Sequence, residues 1–305
     1  MMISGVRWRR LLDTLAEKLI FGFAFVAIAI IVLIFVYIAR EAWPLLTNSA
    51  DGVSLASPFA APFTWQPVSG VPKYNVVPLI LGTFKVTLIS LLIATPLALL
   101  AALYTSEFAG SAREWIKPAI EMLAGIPSVV MGFFALMVLA SWLQSVFGFE
   151  FRLNALTAGF GLALAILPII YTVSEDAMNT VPRSYREASL ALGASKAQTA
   201  LRVVLPAAMP GIGASIVLGF GRAIGETMIV LMVSGNAAIM SLDPSMPART
   251  LSATVAAELG EVVFGGDHYR ILFFIGTLLF LITSVLNWAG DRFRRSLRLR
   301  LFGSA

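Results

Sequence analysis

The run Leu19–Ala39, LIFGFAFVAIAIIVLIFVYIA, contains no charged residue over a length that can cross a membrane. At 1.5 Å per residue an α-helix of about 20 residues spans the roughly 30 Å hydrocarbon core of a bilayer. Four basic residues precede the run, as they also do in a signal peptide. The following segment, Arg40–Pro44, offers no small-residue cleavage site, which favours a retained membrane anchor.

Further apolar segments follow along the chain. Hydrophobic residues make up 58% of the 305 residues and charged residues only 13%, whereas about a quarter of a soluble domain is charged. The sequence therefore predicts an all-α, polytopic membrane protein with about six transmembrane helices. The five later spans are predicted at about 76–104, 119–143, 156–173, 212–233 and 271–289, and residues 48–75 are predicted to form a loop without helical or strand periodicity.

The charged residues exclude several functions and indicate an orientation. The chain has no cysteine, so thiolate metal sites are excluded, and its single histidine, His268, makes a nucleophile–histidine centre unexpected. The sequence therefore predicts neither a catalytic site nor a metal site. Fifteen of the 22 lysines and arginines lie on the side that holds both termini and five on the other side. By the positive-inside rule both termini are predicted to be cytoplasmic, and the basic tail 291–305 is expected to contact anionic lipid rather than nucleic acid.

The segment between the fourth and fifth spans, EDAMNTVPRSYREASLALGASKAQTALRVVLPAAMP (175–210), is predicted to form a cytoplasmic helix pair. The first helix begins at Arg183, Gly193 ends or breaks it, and Ser195 caps a second helix that is expected to stop before Pro206. A pair that only covers the bundle and a pair that docks into a partner's groove remain equally consistent with its small residues.

The fifth span, GIGASIVLGFGRAIGETMIVLMVSGN (211–236), contains Arg222 and Glu226. A charge at a helix centre costs about 2.5 to 3.5 kcal/mol on insertion scales, so two of them need a reason. At i and i+4 the two side chains are expected to share a helical face and to neutralise each other. Alternatively, the pair lines a solute pathway, where the arginine binds an oxyanion with two parallel hydrogen bonds.

Other polar and helix-breaking residues lie inside the predicted spans. Gly125 and Pro127 are expected to break the third helix, either as a packing kink or beside a pathway that Ser128 lines. Lys85 is expected to extend its ammonium group to the membrane surface rather than to contact the solute. Glu121 is expected either to extend its carboxylate to the surface or to pair with Lys117 one turn earlier, rather than to line a pathway.

Three motifs resemble one protein family. Glu187-Ala188-Ser189, with Gly193 four residues later and then Val204-Leu205-Pro206, resembles the EAA loop of ABC importer permeases, with Ser189 in place of the second alanine. The stretch GRAIGETM (221–228) resembles the signature of phosphate-specific (Pst-type) permeases, most like the PstC subunit. The stretch LAGIPSVV (123–130) is similar to a segment of the same subunit.

The resemblance implies a type I ABC importer permease (MetI-like) fold and an importer of inorganic phosphate in the bacterial cytoplasmic (inner) membrane. It implies a substrate pathway formed by Arg222, Glu226, Thr227 and Ser128. Glu187, Ala188, Ser189 and Gly193 would then form the coupling helix that docks on the ATPase. The implied division is an anchor helix and first extracytoplasmic loop (1–75), a permease core (76–290) that includes the coupling loop (175–210), and the basic tail (291–305).

The resemblance also implies partners. They are a PstA-like second permease, a PstB-like ATPase dimer, a PstS-like extracytoplasmic phosphate-binding protein and membrane lipid. No segment matches the phosphate-binding loop G-x4-G-K-[ST], so this chain is expected to bind no cofactor and to be no enzyme, while the ATPase uses ATP and Mg²⁺. The alternatives are an ABC permease for molybdate or sulfate and a secondary transporter or channel without an ATPase.

Overall fold

The computed structural model describes residues 3–47, 58–60 and 62–302 of the chain, and it is almost entirely helical. Six stretches in this part are long and apolar enough to cross a membrane. The predicted all-α membrane architecture is therefore confirmed. These stretches are Leu12–Ala42, Val77–Glu107, Ser128–Phe147, Ala155–Asn179, Lys196–Gly225 and Asp267–Ser296.

The helices in chain order are α1 (Ile3–Ala42), α2 (Pro44–Thr47), α3 (Val77–Glu107), α4 (Arg113–Ala124), α5 (Ser128–Phe134), α6 (Ala140–Phe147), α7 (Ala155–Asn179), α8 (Arg183–Ala191), α9 (Lys196–Thr199), α10 (Leu205–Gly225), α11 (Met228–Val233), α12 (Leu251–Glu258) and α13 (Asp267–Phe302). One 3-10 turn, Gly110–Ala112, precedes α4, and π-helical turns join α5 to α6 and α9 to α10.

The first loop contains a short hairpin that the sequence did not predict. Its strands β1 (Trp65–Gln66) and β2 (Lys73–Tyr74) pair antiparallel, with Trp65 opposite Tyr74. Residues 48–57 and 61 of the predicted loop lie outside the described residues. Two-residue strands are too short to show a period of two, which explains the missed hairpin.

Helix α7 lies at the centre of the core. Its buried residues pack against α3 on one side and α10 on another, and its fully buried side chains include Leu162, Ile166 and Tyr171. At Gly159 the side chain of Ile89 in α3 fills the space beside the backbone, so that an added Cβ would lie 2.3 Å from Ile89 Cγ2. Close packing through small residues is the usual basis of helix association in a membrane.

Helix α1 lies at the edge of this bundle. It packs on α13 near its end, where the rings of Phe35 and Phe280 are 4.7 Å apart, and residues 12–34 are exposed. Helix α13 continues the last crossing to Phe302, so the basic tail that was predicted at 291–305 is helical over its described part.

The third crossing is broken where the sequence predicted. Helix α4 ends at Ala124 and α5 begins at Ser128, because Pro127 has extended backbone angles and cannot continue the helix. Helix α4 carries four charged residues, so the apolar span begins at Ser128 rather than at 119 as predicted.

The helix pair predicted between the fourth and fifth spans forms as predicted at its turn and differs at its end. Gly193 has a φ of +85°, and Ser195 caps α9 in a capping box with Gln198. The second helix does not stop before Pro206 but continues into α10, so that prediction is wrong. A π turn at 200–204 lies directly before Pro206 and changes the backbone hydrogen-bond pattern there. The helix can therefore continue through a proline that cannot donate a backbone hydrogen bond. Helix α7 also extends to Asn179, which shortens the predicted loop.

Candidate functional site

The break after α10 separates the two charged residues of the fifth crossing. The helix ends at Gly225, and Glu226 has extended backbone angles of φ −69° and ψ 129°. The prediction that Arg222 and Glu226 share a helical face is therefore wrong, and no ion pair joins them in the described part of the chain. Arg222 instead lies in the last turn of α10, where the helix dipole favours a positive charge.

The depth of Arg222 follows from the antiparallel contacts between α10 and α7. Ser215 and Ser174 share a hydrogen bond of 2.7 Å, and an added Cβ at Gly219 would lie 2.7 Å from Ile170. If this residue-by-residue spacing continues along the two helices, Arg222 lies level with about Leu167, the midpoint of α7.

The break at Pro127 lies at the same level. Lys117 donates a 2.8 Å hydrogen bond to Glu175 of α7, and further along the same crossing Ala135 faces Gly161. Interpolation between these contacts places Pro127 level with about Leu167 as well. Two neighbouring crossings thus interrupt their backbone hydrogen bonding near the middle of the bundle, which a membrane tolerates only where protein or a water-filled cavity satisfies the backbone.

Part of the freed backbone at Glu226 is satisfied by α12. Ser252 Oγ donates a 3.0 Å hydrogen bond to the Glu226 carbonyl oxygen. Beside it lies an open cleft of about 540 Å³ whose polar lining includes Thr227 and Ser252. The Glu226 side chain is half-buried and the Arg222 side chain is exposed. Among the described residues no hydrogen bond or ion pair occupies either charged group.

Ser128 and Thr227 begin the next segments after the two breaks, and those segments touch. An added Cβ at Gly132 of α5 would lie 3.2 Å from the Cα of Ile229 in α11. Ser128 is half-buried, one turn before this contact, and it makes no hydrogen bond to Arg222, Glu226 or Thr227 within the described ranges. The fold therefore brings the four predicted pathway residues to one region without linking their side chains.

A loop outside this region, residues 234–250, closes against α3 and α7. Lys85 is only 8% exposed, and its Nζ donates 3.0 Å hydrogen bonds to the carbonyl oxygens of Ser241 and Asp243. The expectation that Lys85 extends to the membrane surface is therefore wrong. The ammonium group stays inside because two backbone carbonyls satisfy it.

The same loop requires a glycine on α3. An added Cβ at Gly82 would lie 2.2 Å from the carbonyl oxygen of Arg249. The next residue, Thr83, accepts a 3.0 Å hydrogen bond from the amide of Leu251. Together with Lys85, these contacts attach the N-terminal half of α3 to the loop 234–250 and to the start of α12.

A polar cluster ties the hairpin to α12 and α13. Glu258 accepts hydrogen bonds from Trp65 Nε1 at 3.0 Å and pairs with Arg249, and its other oxygen lies 2.7 Å from His268 Nε2. The lone histidine therefore has a structural partner. Trp65 and Tyr74 pack edge to face across the hairpin, with ring centroids 5.9 Å apart.

The predicted docking residues lie on the surface of the helix pair. Helix α8 has no buried residue, and Glu187 and Ala188 are exposed. Ser189 Oγ lies 2.9 Å from Thr199 Oγ1, which ties α8 to α9. Leu192 is 90% exposed at the turn, so the pair presents apolar surface where a partner can cover it.

A buried acid near the start of this pair was missed by the sequence analysis. Glu175 is fully buried and its carboxylate lies 2.6 Å from Arg113 and 2.8 Å from Lys117. Partial burial alone would lower the pKa of Lys117, but hydrogen bonds to Asp176 and Glu175 outweigh it and raise that pKa. Lys117 also lies 4.0 Å from Glu121, which confirms that predicted pair.

Comparisons with known proteins agree with the fold and the motifs. The family model described as "Binding-protein-dependent transport system inner membrane component" matches residues 94–301. A probable ABC transporter permease of Bacillus subtilis, YqgH, is 34% identical over 92% of this chain and 91% of its own length. The phosphate transport system permease PstC of Mesorhizobium japonicum is 34% identical over 83% of each chain.

Solved structures extend the likeness of the fold. A chain of the inward-facing MetNI methionine ABC transporter matches with a TM-score of 0.54 at 21% identity, over 73% of this chain and 94% of that one. A bacterial ABC transporter for the import of alginate matches with a TM-score of 0.55 at 16% identity, over 87% of this chain and 95% of that one. The fold is accordingly that of an ABC importer permease.

Proposed function

This chain belongs to the family of binding-protein-dependent transport system inner membrane components, and we propose that it is the permease subunit of an ATP-driven importer of inorganic phosphate. Several relatives are phosphate transport permeases of the PstC type, and the likeness extends over most of both chains.

The observation on which this proposal rests is the unpaired guanidinium group of Arg222 near the middle of the helical bundle, among the described residues. Arg222 lies beside a helix break, level with the middle of α7, and no described side chain neutralises it. A permanently charged group there is costly unless it has a use. Its planar donors match the oxygens of a tetrahedral oxyanion, and a weakly screened environment strengthens that attraction.

Glu226 gives a reason for phosphate rather than another oxyanion. At neutral pH inorganic phosphate keeps at least one O–H donor, because its third pKa lies far above that range, whereas sulfate and molybdate carry none. A half-buried carboxylate accepts such a hydrogen bond and repels a fully ionised anion. We therefore place phosphate between Arg222 and Glu226, with Thr227 and Ser128 as further polar groups of the pathway.

The surfaces of the chain suit the partners of such an importer. The exposed apolar residues at the turn of the helix pair would bind in a groove of an ATPase subunit. Each of the two ATPase subunits would then bind one permease. The exposed side chains of α5 and the following π turn, Val130, Phe133, Phe134 and Met137, suit a homologous second permease. With both termini in the cytoplasm, loop 234–250 faces the extracytoplasmic phosphate-binding protein. ATP and Mg²⁺ would be bound by the ATPase, not by this chain.

The test is phosphate uptake by the reconstituted complex. The chain is co-expressed with a PstA-like permease, a PstB-like ATPase and a PstS-like binding protein from the same organism, and labelled phosphate uptake into proteoliposomes is measured with and without ATP. We expect ATP-dependent uptake that excess sulfate and molybdate do not inhibit. Uptake without ATP and without a co-purifying ATPase would favour a secondary transporter, and inhibition by either anion would favour an importer of that anion.

Arg222 is tested in the same system. Losing two charge-assisted hydrogen bonds of about 1.5 to 3 kcal/mol each predicts a fall in uptake of at least a hundredfold for Arg222→Ala. Arg222→Lys keeps the charge without the planar donors, so an intermediate rate is expected. Near-normal uptake by Arg222→Ala would refute the role.

A further inference from the structure

The cytoplasmic end of α3 is held by an ion pair from the helix pair. Arg186 of α8 contacts Glu107, the last residue of α3, through its Nε at 3.1 and 3.2 Å and through its Nη2 at 2.7 Å. The two side chains are only 20% and 8% exposed. A forked contact of this kind fixes both distance and orientation, unlike an exposed ion pair.

Two more contacts reinforce the same junction. Arg186 Nη1 and Nη2 also donate to the carbonyl oxygens of Val181 and Met178, at 2.6 and 2.9 Å. From the second helix of the pair, Lys196 lies over the ring of Phe108, 5.5 Å from its centroid. Both helices of the pair therefore contact the end of α3.

Arg186 provides the side-chain hydrogen bonds that join α8 to α3 and to the end of α7. The helix has no buried residue, and in the described chain its other side-chain hydrogen bond, from Ser189, stays within the helix pair. A movement of α8 can reach α7 through residues 180–182 and α10 through α9, because the chain is continuous there, whereas its side-chain route to α3 runs through Arg186 and Glu107.

The opposite end of α3 contacts the outer loop. Helix α3 has 31 residues, about 46 Å at 1.5 Å per residue. Gly82 packs on Arg249, Thr83 accepts a hydrogen bond from Leu251, and Lys85 holds loop 234–250 through two carbonyls. One helix thus connects the surface proposed for the ATPase with the loop that closes the other side.

We propose that the Arg186–Glu107 pair is the mechanical link through which movement of the helix pair displaces α3 and releases loop 234–250. The inference rests on the proposed ATP-driven function. Arg186 and Glu107 are positioning residues, because they touch neither the solute nor the nucleotide. The link can both push and pull, since an ion pair with several hydrogen bonds resists separation as well as compression.

The test measures phosphate imported per ATP hydrolysed in proteoliposomes that contain the complete complex. Glu107→Gln removes the charge from α3 but leaves the bonds of Arg186 to the two carbonyls. We expect ATP hydrolysis and co-purification of the ATPase to persist while phosphate imported per ATP falls by roughly tenfold or more. Glu114→Gln is the matched control, because Glu114 is an exposed acid on the neighbouring helix α4, and it should leave the ratio unchanged.

A second variant reconnects the two helices covalently. The chain has no cysteine, so Glu107→Cys combined with Arg186→Cys provides two defined thiols. The double variant should be uncoupled as prepared, and a short bifunctional thiol reagent should restore most of the transport ratio. Each single cysteine variant, treated in the same way, controls for the reagent.

The outcomes separate this inference from the proposed function. Absence of ATP-driven phosphate uptake in the wild-type complex would overturn the proposed function. Normal wild-type uptake with an unchanged ratio in Glu107→Gln would overturn the link alone. Loss of the ATPase from purified Glu107→Gln complex would also overturn it, because the pair would then serve docking. Failure of the reagent to restore coupling in the bridged double variant would count equally against it.

Discussion

Replacing Glu175 with glutamine should destabilise the protein more than any exposed charge change at the same membrane surface. The carboxylate is fully buried and receives short contacts from Arg113 at 2.6 Å, Lys117 at 2.8 Å and Asn179 at 2.6 Å. Removing one partner of a buried ion pair costs about 3 to 5 kcal/mol, because the opposite charge is left unpaired.

Three features of the site reduce that figure. Arg113 and Lys117 are 40% and 25% exposed and regain part of their hydration, and Lys117 keeps its 2.8 Å contact with Asp176. Glutamine also keeps one oxygen acceptor. We therefore expect a loss of about 2 to 3 kcal/mol in the free energy of unfolding for Glu175→Gln.

The neighbouring acid provides the control. Asp176 contacts the same lysine, but its side chain is 59% exposed, so Asp176→Asn should cost no more than about 1 kcal/mol. Both variants are compared with the wild type by equilibrium unfolding in mixed detergent micelles, followed by intrinsic fluorescence. Equal losses for the two variants, or a loss below about 0.5 kcal/mol for Glu175→Gln, would refute the assignment of the buried charge as a structural centre.

Further predictions concern two glycines and one lysine. Gly82→Ala places a methyl group against the Arg249 carbonyl and should cost about 1 to 3 kcal/mol or more, whereas Gly22→Ala, with open space around it, should be neutral or stabilising; thermal unfolding in detergent compares them. Gly193→Val should lower phosphate imported per ATP, because a φ of +85° costs an L-residue about 1 to 2 kcal/mol, and Gly193→Asn should be milder; equal ratios for the two would contradict this. The raised pKa of Lys117 predicts how its contribution to the free energy of unfolding, measured as the difference from Lys117→Met, depends on pH. This contribution should be constant from pH 7 to about pH 10 and should decline only above the pKa of lysine in the unfolded state. A decline near pH 8 would contradict this prediction.

The features that the sequence predicted correctly are those with local causes. Long apolar runs set the six crossings, Pro127 broke the third of them, and Ser195 with Gln198 marked the start of α9. Each of these depends on residues within one or two turns, so no knowledge of the neighbours was needed. The break at Glu226 was missed because the apolar sequence around it continues, and the Ser252 hydroxyl that supports it lies 26 residues away.

The partners of buried charges could not be predicted. Lys85 is satisfied by carbonyls 156 and 158 residues away, and Arg186 by a carboxylate 79 residues away. For Arg186 the available signal was its position beside the EAA-like motif, but nothing local identified Glu107 as its partner. For Glu175 the available signal was an acid at the end of an apolar run, but nothing local identified Arg113 as its counter-ion.

The Trp65–Glu258–His268 cluster has a consequence for encounter with a soluble partner. Because the hairpin is already attached to α12 and α13, this surface, which the proposed orientation turns outward, has its final shape before the binding protein of the proposed importer arrives. Capture then loses little conformational freedom on that side of the interface. The association rate of the two proteins should therefore be limited by diffusion and surface charge. Because salt screens surface charge, this rate should depend strongly on the ionic strength outside the cell.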